Sequence, residues 1–244
     1  MEIETRPPGQ FGPIDPLDLL VVAPHPDDAE LGMGGTILKC VQDGMRVGIL
    51  DLTTGEPTPH GSETRRRHET LAATEILQPT WRGNAGMTNR FLEPTIENRG
   101  RLAEYLRVLR PRWLFSPFPN DAHPDHVAAS ALVRDARFWA KLSKIDLAGE
   151  RYHPQRIFHY FCIHLRQAIR PDFIVDISDH WGAKRESIEA YESQFVTGRE
   201  DLKPTMLERF EIDNAYWGTI AATRYGEPFA ASEPLAVRSL GEFL

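Results

Sequence analysis

The chain has 244 residues, of which 41% are hydrophobic and 26% charged, and its net charge is −7. This composition is typical of one globular domain with a sizeable core, and the acidic balance argues against nucleic acid or an anionic membrane as the partner. Two cysteines, Cys40 and Cys162, exclude a disulfide framework and favour a reducing compartment. The N-terminus lacks the features of a signal peptide, and no apolar run approaches the roughly 20 residues of a membrane span. We therefore expect a cytoplasmic protein.

Apolar runs and segments with helical spacing alternate along the chain. Strands are predicted at 17–23, 46–53, 110–117, 156–163 and 173–178, and helices at 30–44, 63–77, 99–110, 124–140 and 181–195. Ser62 is the expected N-cap of the second helix. The alternation predicts an α/β fold with a mostly parallel sheet flanked by helices.

The two ends of the chain are less regular. Residues 1–16 are rich in proline and glycine and are expected to form an N-terminal extension, with 17–244 as a single domain. The tail from residue 200 has no clear period, and we expect its Trp217 and Tyr225 to cover the core.

Polar residues that suit chemistry follow the ends of three predicted strands, where ligand sites form in open α/β sheets. His25, Asp27 and Asp28 come after the first strand, and His123 and His126 belong to a second His-Pro-Asp motif after the third. Adjacent carboxylates repel each other, so a positive group is expected beside Asp27 and Asp28. The polar loop after the second strand leads into the helix at 63–77.

The spacing of these residues suits a catalytic zinc site, which typically has three protein ligands and one open position. His25 and Asp28 are three residues apart, as are His123 and His126, so each pair can lie on one side of a turn. One such pair and one donor from the other strand end would complete the site. Asp27 would then remain beside the metal as a base, and one histidine would be spare.

Simpler interpretations stay open for several of these residues. Asp27 or Asp28 could cap the helix that follows, and Asp121 or His123 could cap the next one. The run at 65–67 is more often a solvated helix face than a binding patch. Four scattered histidines are not expected to be ligands: His153, His159, His164 and His180.

The two motifs carry a family resemblance. APHPDDAELGMGGTI followed by AHPDHVAAS resembles the LmbE-like, or PIG-L-like, family of zinc-dependent N-acetylglucosamine deacetylases. LDLTTGEPTPHGSETRRRHET, FIVDIS and KRESIEAYESQF resemble its bacillithiol-biosynthesis branch. The resemblance spans about residues 18–196 and implies a Rossmann-like fold with the metal at the strand ends.

The resemblance also implies roles for the residues of the first motif and the end of the second. His25, Asp28 and His126 match the zinc ligands, and Asp27 matches the general base. Zn2+ is the implied cofactor, and Fe2+ can replace it under reducing conditions because imidazole and carboxylate ligands suit both ions.

Other matched positions would act on the substrate. His123 matches a residue that assists the tetrahedral intermediate or the leaving group, and Asp125 would orient His123. Arg66 matches an arginine that contacts substrate. His60 stands where the branch usually has an arginine or another polar residue, and it is a second candidate for substrate binding.

The resulting hypothesis is hydrolysis of an acetamide on an N-acetylglucosamine conjugate, with N-acetylglucosaminyl malate as the expected small-molecule substrate. Three alternatives stay open: another glycoconjugate such as an inositol sugar, an amide that is not a sugar, and a metal-binding sensor without turnover. The sequence leaves a homo-oligomer open as well.

Overall fold

The computed structural model describes residues 2–164, 169–236 and 239. Its strands are β1 (Leu19–Ala23), β2 (Val47–Thr53), β3 (Trp81–Met87), β4 (Trp113–Pro117), β5 (Arg156–Tyr160), β6 (Phe173–Asp176) and β7 (Gly226–Ala231). Its α-helices are α1 (Asp28–Gln42), α2 (Glu63–Leu77), α3 (Ile96–Leu109), α4 (Pro124–Ala140), α5 (Trp181–Glu189), α6 (Glu192–Phe195) and α7 (Met206–Ile220). Two 3-10 turns lie at Pro8–Gln10 and Ser178–His180.

All of these strands belong to one sheet, in the order β3-β2-β1-β4-β5-β7-β6. Strands β1 to β5 run parallel to one another, whereas β7 runs antiparallel to both of its neighbours, β5 and β6. The predicted α/β fold with a mostly parallel sheet is therefore confirmed.

Burial on both faces of the sheet explains why β1 reads as a continuous apolar run. Leu20 and Val22 pack on one side with α3 and α4, whereas Leu19 and Val21 pack on the other side with α1. None of the four is more than 1% exposed. Close approach of α1 to β5 requires glycine, since a Cβ at Gly32 would lie 2.3 Å from the Tyr160 ring.

Two strands that the sequence analysis did not predict, β3 and β7, contain buried charged residues. Arg82 in β3 is 1% exposed and forms ion pairs with Asp51 and Glu30. Glu227 in β7 is 1% exposed and pairs with Lys184 of α5. Each strand thus has a charged residue at a buried position, where its ion pairs neutralise it. The charged residue interrupts the apolar pattern by which the other strands were predicted.

The predicted helix at 181–195 was wrong in one respect, because it is interrupted after Glu189. Tyr191 leaves the helical conformation, with φ −87° and ψ 58°, and helix resumes at Glu192 as α6. The Tyr191 side chain is fully buried and donates a hydrogen bond to Glu30. This inward contact is the reason for the break. The helix α7 was also not predicted, because its face toward solvent carries exposed apolar residues.

Residues 4 and 11 of the N-terminal segment lie against the outer strand of the sheet. Glu4 forms a parallel bridge with Gly83 at the outer edge of β3, and the Phe11 ring lies 6.0 Å from that of Trp81. Tyr225 is buried and stacks on Trp181 at 4.8 Å. In the described part of the chain, no helix combines the length and apolar character needed to cross a membrane.

Candidate active site

The strand order brings two of the predicted motifs together. β1 and β4 are neighbours, and the chain leaves them toward opposite sides of the sheet, so their carboxyl ends border the crevice where open α/β sheets bind ligands. His25, Asp27 and Asp28 follow β1, whereas His123 and His126 follow β4. The rings of His25 and His123 lie 4.9 Å apart between centroids.

Three side chains direct ligand atoms toward one another at this crevice. Nδ1 of His25 lies 3.1 Å from Oδ2 of Asp28, and Nε2 of His126 lies 3.3 Å from Oδ1 of Asp28. Bonds of about 2.0–2.1 Å to a tetrahedral ion place ligand atoms roughly 3.3 Å apart, so the observed separations fit a divalent cation. The structure thus brings together the three residues that the sequence analysis proposed as ligands.

The outer nitrogen of each imidazole is held by a carboxylate. Nε2 of His25 lies 3.0 Å from Oδ2 of Asp125, and Nδ1 of His126 lies 3.2 Å from Oδ2 of Asp121. Metal-binding histidines usually have such a partner, which fixes the tautomer and the ring orientation. The inner nitrogens, Nδ1 of His25 and Nε2 of His126, are then the ones available to an ion.

Asp125 had been expected to orient His123, but its carboxylate contacts His25 instead. The backbone N–H groups of Arg90 and Leu92 donate to the Asp125 carboxylate at 2.8 and 3.4 Å and fix it on the His25 side. The sequence predicted Asp121 only as a helix cap, although its position five residues before His126, between β4 and α4, could have indicated this role.

The carboxylates of this cluster are stabilised by nearby positive charge. Burial lowers the pKa of His25, but hydrogen bonds to Asp125 and Asp28 outweigh burial and raise this pKa to about 9. The pKa of His126 is also raised, because Asp28 outweighs the effect of burial there. Protons on the two imidazoles therefore stabilise the carboxylates, and a divalent cation would supply the same charge.

Two overlapping trios of described residues also bring ligand atoms within 4.8 Å: His25–His123–Asp125 and Asp121–His126–Cys162. Each relies on a carboxylate that already holds the outer nitrogen of an imidazole. Neither would neutralise Asp28, which is 4% exposed. The trio that contains Asp28 is therefore the best fit to a divalent ion.

Asp27 lies beside the trio and does not cap α1. Its side chain makes no capping hydrogen bond, and its φ of 135° is a strained conformation for a residue with a Cβ atom. Burial raises the pKa of Asp27 to about 7, against the opposing charge of Arg66. A buried carboxylate on a strained backbone, with a pKa near neutrality, suits a general base.

His123 is both a helix cap and a side chain that lines the cavity, so it fits the two interpretations that the sequence left open. It is the N-cap of α4, because its Nδ1 accepts a hydrogen bond from the Asp125 backbone N–H at 3.2 Å. An accepting Nδ1 places the ring proton on Nε2, and the side chain lines the cavity above the trio. Burial and the positive charge of His126 lower the pKa of His123 to about 4, so the ring is neutral near pH 7.

Arg66 is not part of a solvated helix face, since it is only 3% exposed. Its Nη1 donates to Oδ2 of Asp27 at 2.8 Å and to the Pro26 carbonyl at 2.6 Å. Its Nε donates to Oε1 of Glu56 at 3.2 Å. Ser62 caps α2 as expected and accepts from the Arg65 backbone N–H at 3.2 Å, which fixes the start of the helix that carries Arg66.

The cavity above the trio has a volume of about 310 Å³ and reaches Arg66, but His60 is not among its lining residues. His60 is exposed, and its Nε2 lies beside Gly198. Other lining residues were not proposed from the sequence: Arg90, Gln194, Arg199 and His164. His164 follows β5, so the rule about strand ends could have found it. Its ring lies 5.5 Å from those of His123 and His126.

Comparisons with known proteins find a deacetylase family model and relatives that are named as deacetylases. The family model described as GlcNAc-PI de-N-acetylase, PIG-L, matches residues 20–137. Diacetylchitobiose deacetylase of Thermococcus kodakarensis is 29% identical over 86% of this chain and 80% of that protein. Probable N-acetyl-alpha-D-glucosaminyl L-malate deacetylase 2 of Bacillus anthracis is 28% identical over 76% of this chain and 84% of its own length.

A solved structure extends the likeness to nearly the whole chain. The conserved protein TT1542 from Thermus thermophilus shares 40% identity and superposes with a TM-score of 0.82, over 91% of this chain and 97% of that protein. The region matched by the family model contains both His-Pro-Asp motifs. Over that region the chain is therefore similar to the PIG-L family, described as GlcNAc-PI de-N-acetylase.

Proposed function

We propose that this chain removes the N-acetyl group from an N-acetylglucosamine conjugate, with Zn2+ held by His25, Asp28 and His126. One observation carries the proposal. Each imidazole has its outer nitrogen on a carboxylate and its inner nitrogen beside Asp28, and the strained carboxylate of Asp27 lies next to this trio at the floor of a cavity.

The cation would supply Lewis-acid polarisation of the acetyl carbonyl and a lower pKa for water at the site. Asp27 takes a proton from the attacking water and later delivers it to the amine nitrogen. A carboxyl group with a pKa of about 7 can serve in both steps near neutral pH. Arg66 fixes the orientation of Asp27 through its 2.8 Å hydrogen bond, and Glu56 holds Arg66 in place.

His123 acts as a hydrogen-bond donor in this proposal. Its Nδ1 is occupied by the backbone N–H of Asp125, so the N–H on Nε2 is the group that can reach the oxyanion of the tetrahedral intermediate. One such donor contributes roughly 3 kcal/mol to stabilisation of the transition state. A pKa of about 4 keeps the ring neutral, which leaves proton delivery to Asp27.

Two substrates are the main candidates. N-acetylglucosaminyl malate is the substrate expected from the resemblance, and one relative is named for its deacetylation. Diacetylchitobiose is the second candidate, because the relative named for it has almost the same identity to this chain. An inositol-linked sugar and Fe2+ as the bound ion remain variants of the same proposal. We also propose the cytoplasm as the location, since Cys40 and Cys162 are free thiols.

Acetate release from both conjugates tests the proposal. The zinc-loaded protein should release one acetate per N-acetyl group cleaved, a chelator should stop the release, and added Zn2+ should restore it. No acetate from either conjugate, with stoichiometric metal bound, would favour the metal-binding sensor without turnover.

A further inference from the structure

The cavity above the trio contains more positive charge than the reaction requires. Among the described residues, three arginines line it, Arg66, Arg90 and Arg199, against two carboxylates, Asp27 and Asp28. With a divalent cation bound and the histidines neutral, the formal charge of these groups is +3. The whole chain carries −7, so this local excess runs against the charge of the protein.

Arg66 is already committed to residues of the site. Its contacts with Asp27, Pro26 and Glu56 bury it almost completely. A paired contact with a second carboxylate would need Nη1 or Nε, so Arg66 would have to release either Asp27, which is the proposed base, or Glu56. The charge of the substrate must therefore be met elsewhere in the cavity.

Arg199 is the better candidate because its guanidinium is available. It is exposed at the cavity wall and forms no ion pair with any residue in the described ranges 2–164, 169–236 and 239. Its backbone N–H donates to the Val196 carbonyl at 3.0 Å, which fixes the turn after α6. The neighbouring Glu200 carboxylate accepts from the Gly198 backbone N–H and does not line the cavity.

The guanidinium of Arg90 is a second positive group at the same cavity. Arg90 has a φ of 66°, its backbone N–H donates to Asp125 at 2.8 Å, and its Nη2 donates to the Pro57 carbonyl at 2.6 Å. The loop that carries Arg90 is thereby anchored to the carboxylate behind His25. The Pro57 carbonyl is neutral, and Arg90 forms no ion pair with another residue that the structure describes, so its positive charge is available to a ligand.

We propose that Arg199, together with Arg90, binds an acidic group of the substrate's aglycone and makes the enzyme selective for anionic N-acetylglucosamine conjugates over neutral ones. Guanidinium groups bind carboxylates and phosphates through paired, charge-assisted hydrogen bonds. This inference rests on the proposed deacetylation, because it assigns the charge of the substrate to residues of the same site.

Equilibrium binding separates this inference from the proposed reaction. Asp27→Asn slows turnover under the proposed mechanism, so binding of intact conjugates can be measured by calorimetry in the zinc-loaded variant. The probes are N-acetylglucosaminyl malate, which is anionic, and diacetylchitobiose, which is neutral. We expect the malate conjugate to bind more tightly, and its affinity to fall as salt is raised.

Arg199→Ala in the same background should weaken binding of the malate conjugate by about ten- to a hundredfold, as expected for loss of a hydrogen bond between charged groups. The ratio of the two dissociation constants should then approach one. Arg199→Lys should restore part of the preference, and Arg90→Gln should reduce it. Arg134→Ala is the matched control, since Arg134 is 73% exposed on α4 and outside the cavity.

The two hypotheses fail in different ways. Equal affinity for the two probes, no binding of either, or a preference that survives Arg199→Ala would overturn the inference, whatever the wild-type chain does to the conjugates. Absence of acetate release by the wild-type chain would count against the proposed reaction, whereas a binding preference that depends on Arg199 would still support the anion site.

Discussion

Two clusters of buried charge lie on either side of the first turn of α1, and only one of them has the features of an active site. In the first, Arg82 donates to Asp51 and Glu30 at 2.6–3.1 Å and to the Tyr191 hydroxyl at 3.2 Å. These side chains are sealed from solvent. Each nitrogen of the Arg82 guanidinium has an acceptor, so this cluster joins β2, β3, α1 and the turn between α5 and α6. Oε2 of Glu30 has no hydrogen-bond partner among the described residues, but it is buried, and Glu30 is not among the residues that line the cavity above the trio.

The second cluster contains Asp27, Asp28, His25 and His126, and it differs in geometry. Its imidazole nitrogens converge on one carboxylate, its backbone is strained at Asp27, and it opens on a cavity. Altered pKa values do not distinguish the clusters, since burial raises the pKa of Asp51 to about 6 and that of Asp27 to about 7. Converging ligand atoms and access to solvent are the features that identify the site.

The largest expected effect concerns the proposed ligands. His25→Ala, Asp28→Ala and His126→Ala should each reduce the metal content of the purified chain and lower metal affinity by more than about 100-fold, the upper range for loss of an outer partner. Metal content by elemental analysis and affinity by competition with a chelator measure this. Full occupancy in all three variants would contradict the ligand assignment.

The second effect concerns the proposed base. Asp27→Asn keeps the size of the side chain but removes the proton acceptor, so kcat should fall by about 10²–10⁴ while bound metal is retained. Steady-state acetate release, with metal content measured on the same sample, checks both parts. Near-normal turnover would transfer the role of base to another group, with His123 the first to test.

A third prediction tests the sealed cluster. Arg82→Met leaves two buried carboxylates without their cation, so the free energy of unfolding should fall by about 3–5 kcal/mol. Denaturant titration measures this, and Arg67→Met on the exposed face of α2 is a control expected to change stability by no more than about 0.5 kcal/mol. The folded Arg82→Met chain should still bind one metal ion. Loss of stoichiometric binding in the folded protein would show that the metal site depends on the Arg82 cluster, and would contradict the separation of the two clusters.

The smallest effect concerns the outer partners of the imidazoles. Asp121→Asn and Asp125→Asn should each weaken metal binding by about 10–100-fold, because the ring of His126 or His25 loses its orienting carboxylate. Asp135→Asn is a control on α4 outside the site, where the carboxylate pairs with Arg99. Metal affinities equal to that of the wild type in both site variants would show that the outer contacts do not orient the ligands.

The sequence was sufficient to predict the elements that position the site. β1 and β4 are apolar runs that are each followed by a His-Pro-Asp motif, so the strands and the polar residues after them could both be identified. β3 and β7 were not predicted because Arg82 and Glu227 interrupt their apolar pattern. Each of these residues forms its ion pair with a residue far away in the sequence.

The contacts within the site were harder to predict than its members. Asp125 holds His25 and not His123 because the backbone of Arg90 and Leu92 fixes its carboxylate, and a sequence pattern does not show where that loop packs. Arg66 reaches Asp27 across 39 positions of the chain. Such long-range pairings depend on the folded geometry and leave no local signal.

X-ray absorption at the zinc edge of the metal-loaded chain tests the central claim most directly. The proposed trio predicts nitrogen and oxygen scatterers at about 2.0–2.2 Å, with two imidazoles and no sulfur. Asp28→Ala should alter this shell, and Cys162→Ser should leave it unchanged. A sulfur scatterer at about 2.3 Å that disappears in Cys162→Ser would place the ion in the Asp121–His126–Cys162 trio and contradict the account.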